Sequence, residues 1–161
     1  MMTRSWAMPV LIAAIAASLI ATVGATMTDV GPWYRSLAQP RWAPPDMAYG
    51  IGWTVIYSIT ALAAVTAWQA LQTRREMEAL IGLYALNGFL NILWSLLFFR
   101  LHRPDWAQVE VVALWCSVLA LMIFTFRRSI AATLLLVPYL CWVTFAGYLN
   151  LTIVRLNGSF G

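Results

Sequence analysis

The sequence predicts an all-helical integral membrane protein, with five transmembrane helices packed into one bundle. Of its 161 residues, 62% are hydrophobic and 10% are charged, whereas soluble domains average about 25% charged residues. A soluble domain of this length cannot bury so much apolar surface in one core, because its own surface needs polar cover. A lipid bilayer removes that limit.

The positions of the charged residues predict how many times the chain crosses the bilayer. Crossing the hydrocarbon takes about 20 apolar residues in a helix. Helices are also the open-chain elements that satisfy their own backbone polar groups in lipid. The predicted helices span residues 9–27, 47–73, 79–99, 107–126 and 129–154. Residues 1–161 therefore form one multi-pass domain, and we expect its sequential helices to be antiparallel neighbours.

The fourth helix needs one charged residue near its start. Its charge-free part begins only at Val111, and Trp106–Val109 can extend it to a spanning length. We expect Glu110 to reach the membrane interface or a partner. The charge-free stretches themselves show no proton relay or ion pathway of the kind that pumps need.

Two features of the termini and charges leave alternatives open. Residues 9–27 follow Arg4 and end near small residues, as in a cleaved signal peptide, but they exceed the about 7–15 residues of a signal core. We therefore expect a retained helix.

The arginines, Arg4 included, divide equally between the two sides of the membrane, so the orientation is not determined. They lie on both sides and do not predict nucleic-acid binding.

The connection between the first two predicted helices, residues 28–46, is long and rich in proline. Pro32, Pro40, Pro44 and Pro45 stiffen it and prevent a continuous helix. It also carries Trp33, Tyr34 and Trp42. An aromatic belt at the interface explains single tryptophans. We favour a lid over the bundle, because long loops without regular structure are usually functional or disordered.

Aromatic and amide side chains recur at helical spacing on three predicted helices, and we expect them to face the interior. Trp106 opens the fourth helix at the depth of the lid. The stripes consist of Tyr49, Trp53 and Tyr57 in the second helix, Tyr84, Asn87, Asn91 and Trp94 in the third, and Trp142, Ala146, Leu149 and Asn150 in the fifth.

Two readings of these stripes are open. The first is helix packing, with Asn91 and Asn150 bonding each other or backbone carbonyls, since such bonds contribute about 0.6 kcal/mol each in membranes. The second is a cavity for a flat, apolar ligand with polar edges. Nine tryptophans favour the cavity, because small residues pack helices better than indoles do.

The sequence lacks the patterns of ordinary catalytic or metal sites. It has a single histidine, no HExxH motif, no phosphate-binding glycine loop and no nucleophile beside a base. We therefore expect no catalytic residues, no metal and no cofactor, and a binding protein fits better than an enzyme.

Three motifs together resemble the TspO/MBR family of tryptophan-rich sensory proteins and translocator proteins, which include the peripheral benzodiazepine receptor. The likeness runs from about Trp33 to Asn157. The motifs are Trp33-Tyr34-x-x-Leu37-x-x-Pro40-x-Trp42-x-Pro44-Pro45 followed by Trp53-Thr54-x-x-Tyr57; Gly82-Leu83-Tyr84 with Leu90-Asn91-x-x-Trp94-Ser95 and Phe98-Phe99; and Pro138-Tyr139-Leu140-x-Trp142-Val143-x-x-Ala146-x-x-Leu149-Asn150.

The resemblance implies a five-helix bundle, often a homodimer, with a pocket beneath the first loop. It implies as ligands porphyrins such as protoporphyrin IX and haem, and also sterols and benzodiazepine-type compounds. Porphyrin would be a ligand and not a cofactor. By motif position, the ligand-binding residues would be Tyr34, Trp42, Trp53, Tyr57, Asn87, Asn91, Trp94, Trp106, Trp142, Ala146 and Leu149.

The sequence departs from the family pattern at three places. Asn87 stands where the family usually has Gln, and Gln39 replaces a usual Lys. Leu151 and Thr152 occupy the place of a Tyr before Arg155, which weakens the family's sterol motif.

Three functions share the same implied pocket, and the sequence does not choose among them. The first is a receptor or carrier in tetrapyrrole handling and in stress or light regulation. The second is a light-dependent enzyme that degrades porphyrin, and the third is a translocator of tetrapyrrole or lipid by alternating access. We expect a bacterial cell membrane as the location. A homodimer would pair through Ala79, Gly82 and Ala85, which are small residues at helical spacing.

Overall fold

The protein is a bundle of long helices with one short helix in its first loop. The computed structural model describes residues 6–158 and 160, so Arg4 lies outside the described residues. Five helices are long and apolar enough to cross a membrane, which confirms the predicted fold class. The helices are α1 (Ala7–Met27), α2 (Pro32–Ser36), α3 (Asp46–Ala70), α4 (Arg74–Ser95, continuing into a π-helical turn, Leu96–Arg100), α5 (Pro104–Phe126) and α6 (Ile130–Asn157).

Two membrane-spanning helices begin earlier than their charge-free stretches. At α4, the Thr73 hydroxyl accepts a hydrogen bond from the Glu76 amide, and the Glu76 carboxylate accepts one from the Thr73 amide, both at 3.2 Å. Arg128 also donates to that carboxylate at 3.0 Å. At α5, Pro104 occupies the first helical turn, where its missing N–H costs nothing. The charge-free stretches therefore do not give the ends of these helices.

The membrane-spanning helices form a closed ring. Around the ring the order is α1, α3, α6, α5 and α4, and each helix packs mainly against its two neighbours in that order. The expectation that all sequential helices are neighbours was wrong for α3 and α4, which are not among the main packing pairs. Ile20 of α1 comes so close to Gly88 that a Cβ on the glycine would lie 2.7 Å from its Cδ1. This close packing makes α1 part of the bundle.

Two buried apolar clusters fill the ring. The core cluster joins α3, α4, α5 and α6, and the lid-side cluster joins the first loop to α4, α5 and α6. The core cluster contains Ile56, Ala63, Ala67, Leu71, Leu80, Val111, Leu114, Val118, Leu121, Ala132, Leu136, Tyr139 and Val143. The lid-side cluster contains Tyr34, Phe98, Phe99, Ala107, Leu149 and Ile153.

The predicted dimer face is open in the monomer. Ala79, Gly82 and Ala85 are all exposed on α4, and no atom lies within 4 Å of a Cβ placed on Gly82. Pairing of two chains through this face stays a prediction.

We expect Thr73→Ala to destabilise the start of α4. The change removes the side-chain cap, which is worth about 1 kcal/mol, whereas Thr73→Ser keeps the hydroxyl. Thermal unfolding in detergent, followed by helical circular dichroism, should give a lower midpoint for the alanine variant than for the serine variant. Equal midpoints would contradict the cap.

Candidate ligand-binding site

Aromatic side chains of α3 and α6 converge where these two helices pack against each other. Trp53 stacks on Tyr57, one turn along α3, with centroids 5.3 Å apart. It also meets Trp142 of α6 edge-on at 5.9 Å, and Trp142 contacts Phe145 at 5.8 Å. Side chains three or four residues apart share one helix face, so the α3 and α6 stripes predicted from the sequence meet here. We call Trp53, Tyr57, Trp142 and Phe145 the aromatic cluster.

A glycine lets the two tryptophan-bearing helices come this close. A Cβ at Gly52 would overlap the six-membered ring of Trp142, so the indole lies directly on the backbone of α3. The indole is rigid and cannot yield as a flexible chain end would. Gly52 thus sets the position of Trp142.

Beside the aromatic cluster, a chain of hydrogen bonds crosses the interior. The Tyr57 hydroxyl donates to the Asn91 carbonyl oxygen at 2.5 Å, and the Asn91 amide donates to the Tyr139 hydroxyl at 3.2 Å. Tyr139 donates to the Asn87 carbonyl oxygen at 3.0 Å, and the Asn87 amide donates to the Ser117 hydroxyl at 2.9 Å. Asn87 and Asn91, both predicted to face the interior, therefore link α4 to α3, α5 and α6. Each amide already uses one N–H donor and its carbonyl oxygen in bonds within the protein.

Two buried indole N–H groups face the interior without an acceptor. Nε1 of Trp94 and Nε1 of Trp142 are buried, and neither has a hydrogen-bond partner within residues 6–158 or at residue 160. Buried tryptophans usually satisfy this donor, and an unmade buried hydrogen bond costs about 1–3 kcal/mol. Both donors suit a ligand that brings acceptor atoms.

The first loop lies over this end of the bundle. Tyr34 of α2 is buried and contacts Phe98 and Phe99 at centroid distances of 6.4 and 5.6 Å. Burial raises the pKa of the Tyr34 hydroxyl, against a smaller opposing effect of its bond to Gln39. The hydroxyl therefore stays protonated at neutral pH. On the other side Trp42 stacks on Tyr148 at 5.3 Å.

Two further features hold the loop in place. The Asn157 side chain, at the end of α6, accepts from the Ala38 amide at 2.8 Å and donates to the Ala38 carbonyl at 2.9 Å. The π-helical turn brings both Phe98 and Phe99 inward, although an α-helix turns consecutive side chains by about 100°. Both phenylalanines are buried. Neither Asn157 nor the π-helical turn was predicted from the sequence.

The remaining predicted site residues are dispersed. Trp42 also contacts Phe145 at 6.1 Å, which connects the loop to the aromatic cluster. Leu149 is buried in the lid-side cluster, and Ala146 is half-buried on α6. Trp106 is 51% exposed and lies under the Arg103 guanidinium, 4.2 Å from its ring centroid. The structure does not bring Trp106 into the aromatic cluster.

Comparison with known proteins decides the family. The family model described as the TspO/MBR family matches residues 9–156. The chain belongs to the TspO/MBR family. It is 41% identical over 129 residues to the tryptophan-rich protein TspO of Chlorobaculum tepidum, covering 78% of this chain and 79% of that one.

Other similar proteins come from bacteria and mammals. The chain is 34% identical over 140 residues to protein CrtK of Rhodobacter capsulatus, covering 85% and 87% of the two chains. It is 35% identical over 127 residues to the translocator protein of Sus scrofa, covering 78% and 75%. Membership of the TspO/MBR family, with five candidate spans, identifies a multi-pass membrane protein and supports a receptor or translocator role.

Two cavities of this TspO/MBR-family chain lie outside the aromatic cluster. One cavity of about 290 Å³ is a groove along α1 that includes Ile15 and Leu19. Another, of about 230 Å³, lies under the loop between Asp29, Tyr34 and His102. Trp53 and Trp142 line neither of these two cavities, and they pack on each other and on Gly52.

The structure does not give Glu110 the partner that the sequence offered as one of two expectations. Among the residues that the structure describes, Glu110 has no hydrogen-bonding partner. It is 8% exposed, and both of its carboxyl oxygens are buried without a hydrogen bond. Because α5 begins at Pro104, Glu110 lies in the second turn of the helix. Pro104 was the signal in the sequence that could have predicted where α5 begins, because proline is favoured in the first turn of a helix.

The position of Trp142 can be tested at two glycines of α3. Alanine at Gly50 meets no atom within 4 Å and should stabilise the helix, since alanine is favoured over glycine by about 1 kcal/mol. Alanine at Gly52 must displace the Trp142 indole. We expect Gly50→Ala to raise the melting temperature in detergent, and Gly52→Ala to lower it and change the near-ultraviolet circular dichroism. Two equal shifts would contradict the close packing.

The attachment of the loop can be tested at Asn157. Asn157→Ala removes both bonds to Ala38, and at about 1 kcal/mol per bond we expect hydrogen exchange at the Ala38 amide to accelerate roughly thirtyfold. Thr152→Val is the matched control, because the Thr152 hydroxyl bonds only to the Tyr148 carbonyl within α6. Unchanged exchange in Asn157→Ala would show that other contacts hold the loop.

Proposed function

We propose that this protein is a membrane receptor or carrier that binds porphyrins, such as protoporphyrin IX and haem, between the first loop and the aromatic cluster. The observation that carries the proposal is the convergence of Trp53 and Trp142 from separate helices. Trp142 itself carries one buried indole N–H group without an acceptor among the described residues, and Trp94 of α4 carries another. Such a site offers flat apolar walls with a few directed polar groups, the usual composition of a ligand pocket.

Binding requires the rings to part. A porphyrin is flat and aromatic, so its faces can replace the ring contacts that Trp53 and Trp142 now make with each other. Aromatic pairs gain about 0.5–1.5 kcal/mol beyond the apolar area that they bury, so the exchange loses little and adds the larger area of the porphyrin. The acceptor groups of the porphyrin would then satisfy the indole N–H donors.

The same chemistry admits other ligands. Sterol-like and benzodiazepine-type compounds are also largely apolar, with one or two polar edges, but they are less planar than a porphyrin. We rank porphyrins first because stacking on several rings favours an aromatic ligand over a saturated one. A function in tetrapyrrole handling and in stress or light responses follows from this ranking.

Carriage across the bilayer is a second candidate. The relative from Sus scrofa is named translocator protein, and a carrier needs the same pocket with an opening on each side of the membrane. Accumulation of protoporphyrin IX inside sealed vesicles that contain the protein would support carriage. Binding to the vesicles without accumulation would support a receptor.

Titration with protoporphyrin IX tests the proposed site. We expect Trp53→Ala and Trp142→Ala each to weaken binding about tenfold, since tenfold corresponds to about 1.4 kcal/mol and stacking supplies that amount. Trp106→Ala is the control, because Trp106 is half-exposed beside Arg103, and it should bind as the unchanged protein does. The visible absorption of the porphyrin reports binding without depending on the tryptophans removed.

Affinities unchanged in both cluster variants would place the site elsewhere. A loss in Trp106→Ala as large as in the other two would reject the aromatic cluster as the specific site.

A further inference from the structure

A carboxyl group lies buried between the helices. Both oxygens of Glu110 are buried and make no hydrogen bond to any residue that the structure describes. The ion pairs among the described residues join Arg74 to Glu78, Arg103 to Asp105 and Arg128 to Glu76, and none includes Glu110. An ionisable residue inside a membrane is costly and usually functional. With no cation beside it, the acid form is the one that such an environment tolerates.

The packing of α4 on α5 gives the depth of Glu110 in the bundle. These helices are antiparallel, and the bond from the Asn87 amide to the Ser117 hydroxyl, 2.9 Å long, aligns them. Glu110 lies two helical turns before Ser117 and Trp94 lies two turns after Asn87, each on the same face as its reference residue. Glu110 and Trp94 therefore lie at the same level of the interior.

The apolar neighbours give the same depth independently. Ala107, one turn before Glu110, belongs to the lid-side cluster, whereas Val111 belongs to the core cluster. Trp94 packs against both clusters. The two residues thus share the boundary between the clusters, on the side that Tyr34 of the loop covers.

The two groups are chemically complementary to an oxygen-bearing ligand group. The indole Nε1 of Trp94 is a buried donor without an acceptor. A carboxyl in its acid form offers one O–H donor and one carbonyl acceptor. A carboxylic acid or carboxamide on the ligand can pair with that carboxyl through two hydrogen bonds and accept a third from the indole.

We propose that Glu110 and Trp94 form a polar recognition site beneath the loop that selects planar ligands carrying a carboxyl or carboxamide side group. This site deepens the proposed porphyrin-binding function and rests on it. The aromatic cluster supplies affinity for any flat aromatic ring. Glu110 supplies the preference for ligands with the polar side group.

Two porphyrins separate the preference from the binding itself. Protoporphyrin IX carries carboxyl side chains, and etioporphyrin carries alkyl groups in their place. We expect the unchanged protein in detergent to bind protoporphyrin IX about tenfold more tightly, as hydrogen bonds of ordinary strength allow. Glu110→Gln keeps a donor and an acceptor and should retain the preference. Glu110→Met, of similar size but apolar, should lose it while binding etioporphyrin with unchanged affinity.

Infrared spectroscopy gives a second measurement that does not depend on affinity. The ligand-free protein should show the carbonyl band of a buried carboxylic acid, absent in Glu110→Gln and shifted when protoporphyrin IX binds. Absence of the band, or a Glu110→Met variant that keeps the preference, would overturn the inference while leaving porphyrin binding intact. Failure of the unchanged protein to bind either porphyrin would overturn the proposed function itself.

Discussion

One chain of buried hydrogen bonds underlies the rest of the structure. Tyr57, Asn91, Tyr139, Asn87 and Ser117 connect α3, α4, α6 and α5 across the middle of the ring. Apolar side chains provide little net attraction between helices in lipid, because lipid tails are equally apolar. Directed polar contacts and close packing must therefore set the register between helices. The hydrogen bond from Asn87 to Ser117 sets the register of α4 on α5. The levels of Trp94, Glu110 and the aromatic cluster all follow from it.

Much of this arrangement was predictable from the sequence, because helix periodicity is a local property. The five spans and the inward faces of Trp53, Tyr57 and Asn91 needed only spacing and polarity. The order of the helices around the ring was not predictable, because it depends on which faces fit together. Only three residues separate α3 from α4, yet each packs mainly against other helices. The open choice for Asn150 was resolved in favour of a backbone carbonyl, since its amide donates to the Pro104 carbonyl oxygen at 3.2 Å.

The residues that sequence reasoning missed share a physical cause. Glu110 was expected at the interface or beside a partner because the predicted helix began only three residues before it, whereas the helix begins at Pro104 and Glu110 is buried. The π-helical turn leaves no mark in the hydrophobic pattern, since one extra residue per turn only shifts which side chains face inward. Asn157 bonds a loop more than 100 positions away in the chain. Such long-range contacts have no periodic signal.

The loop and the aromatic cluster are mechanically connected, and this determines how the closed rings can open. Trp42 of the loop contacts Phe145, which contacts Trp142, which in turn contacts Trp53. A shift of the loop therefore removes a ring contact that supports Trp142. The Trp142 indole cannot move closer to α3, because Gly52 already lets it lie on the backbone of that helix. Any parting of these rings therefore moves Trp142 away from α3. For the porphyrin-binding function proposed above, release of the loop would weaken the support of Trp142 and so favour that movement.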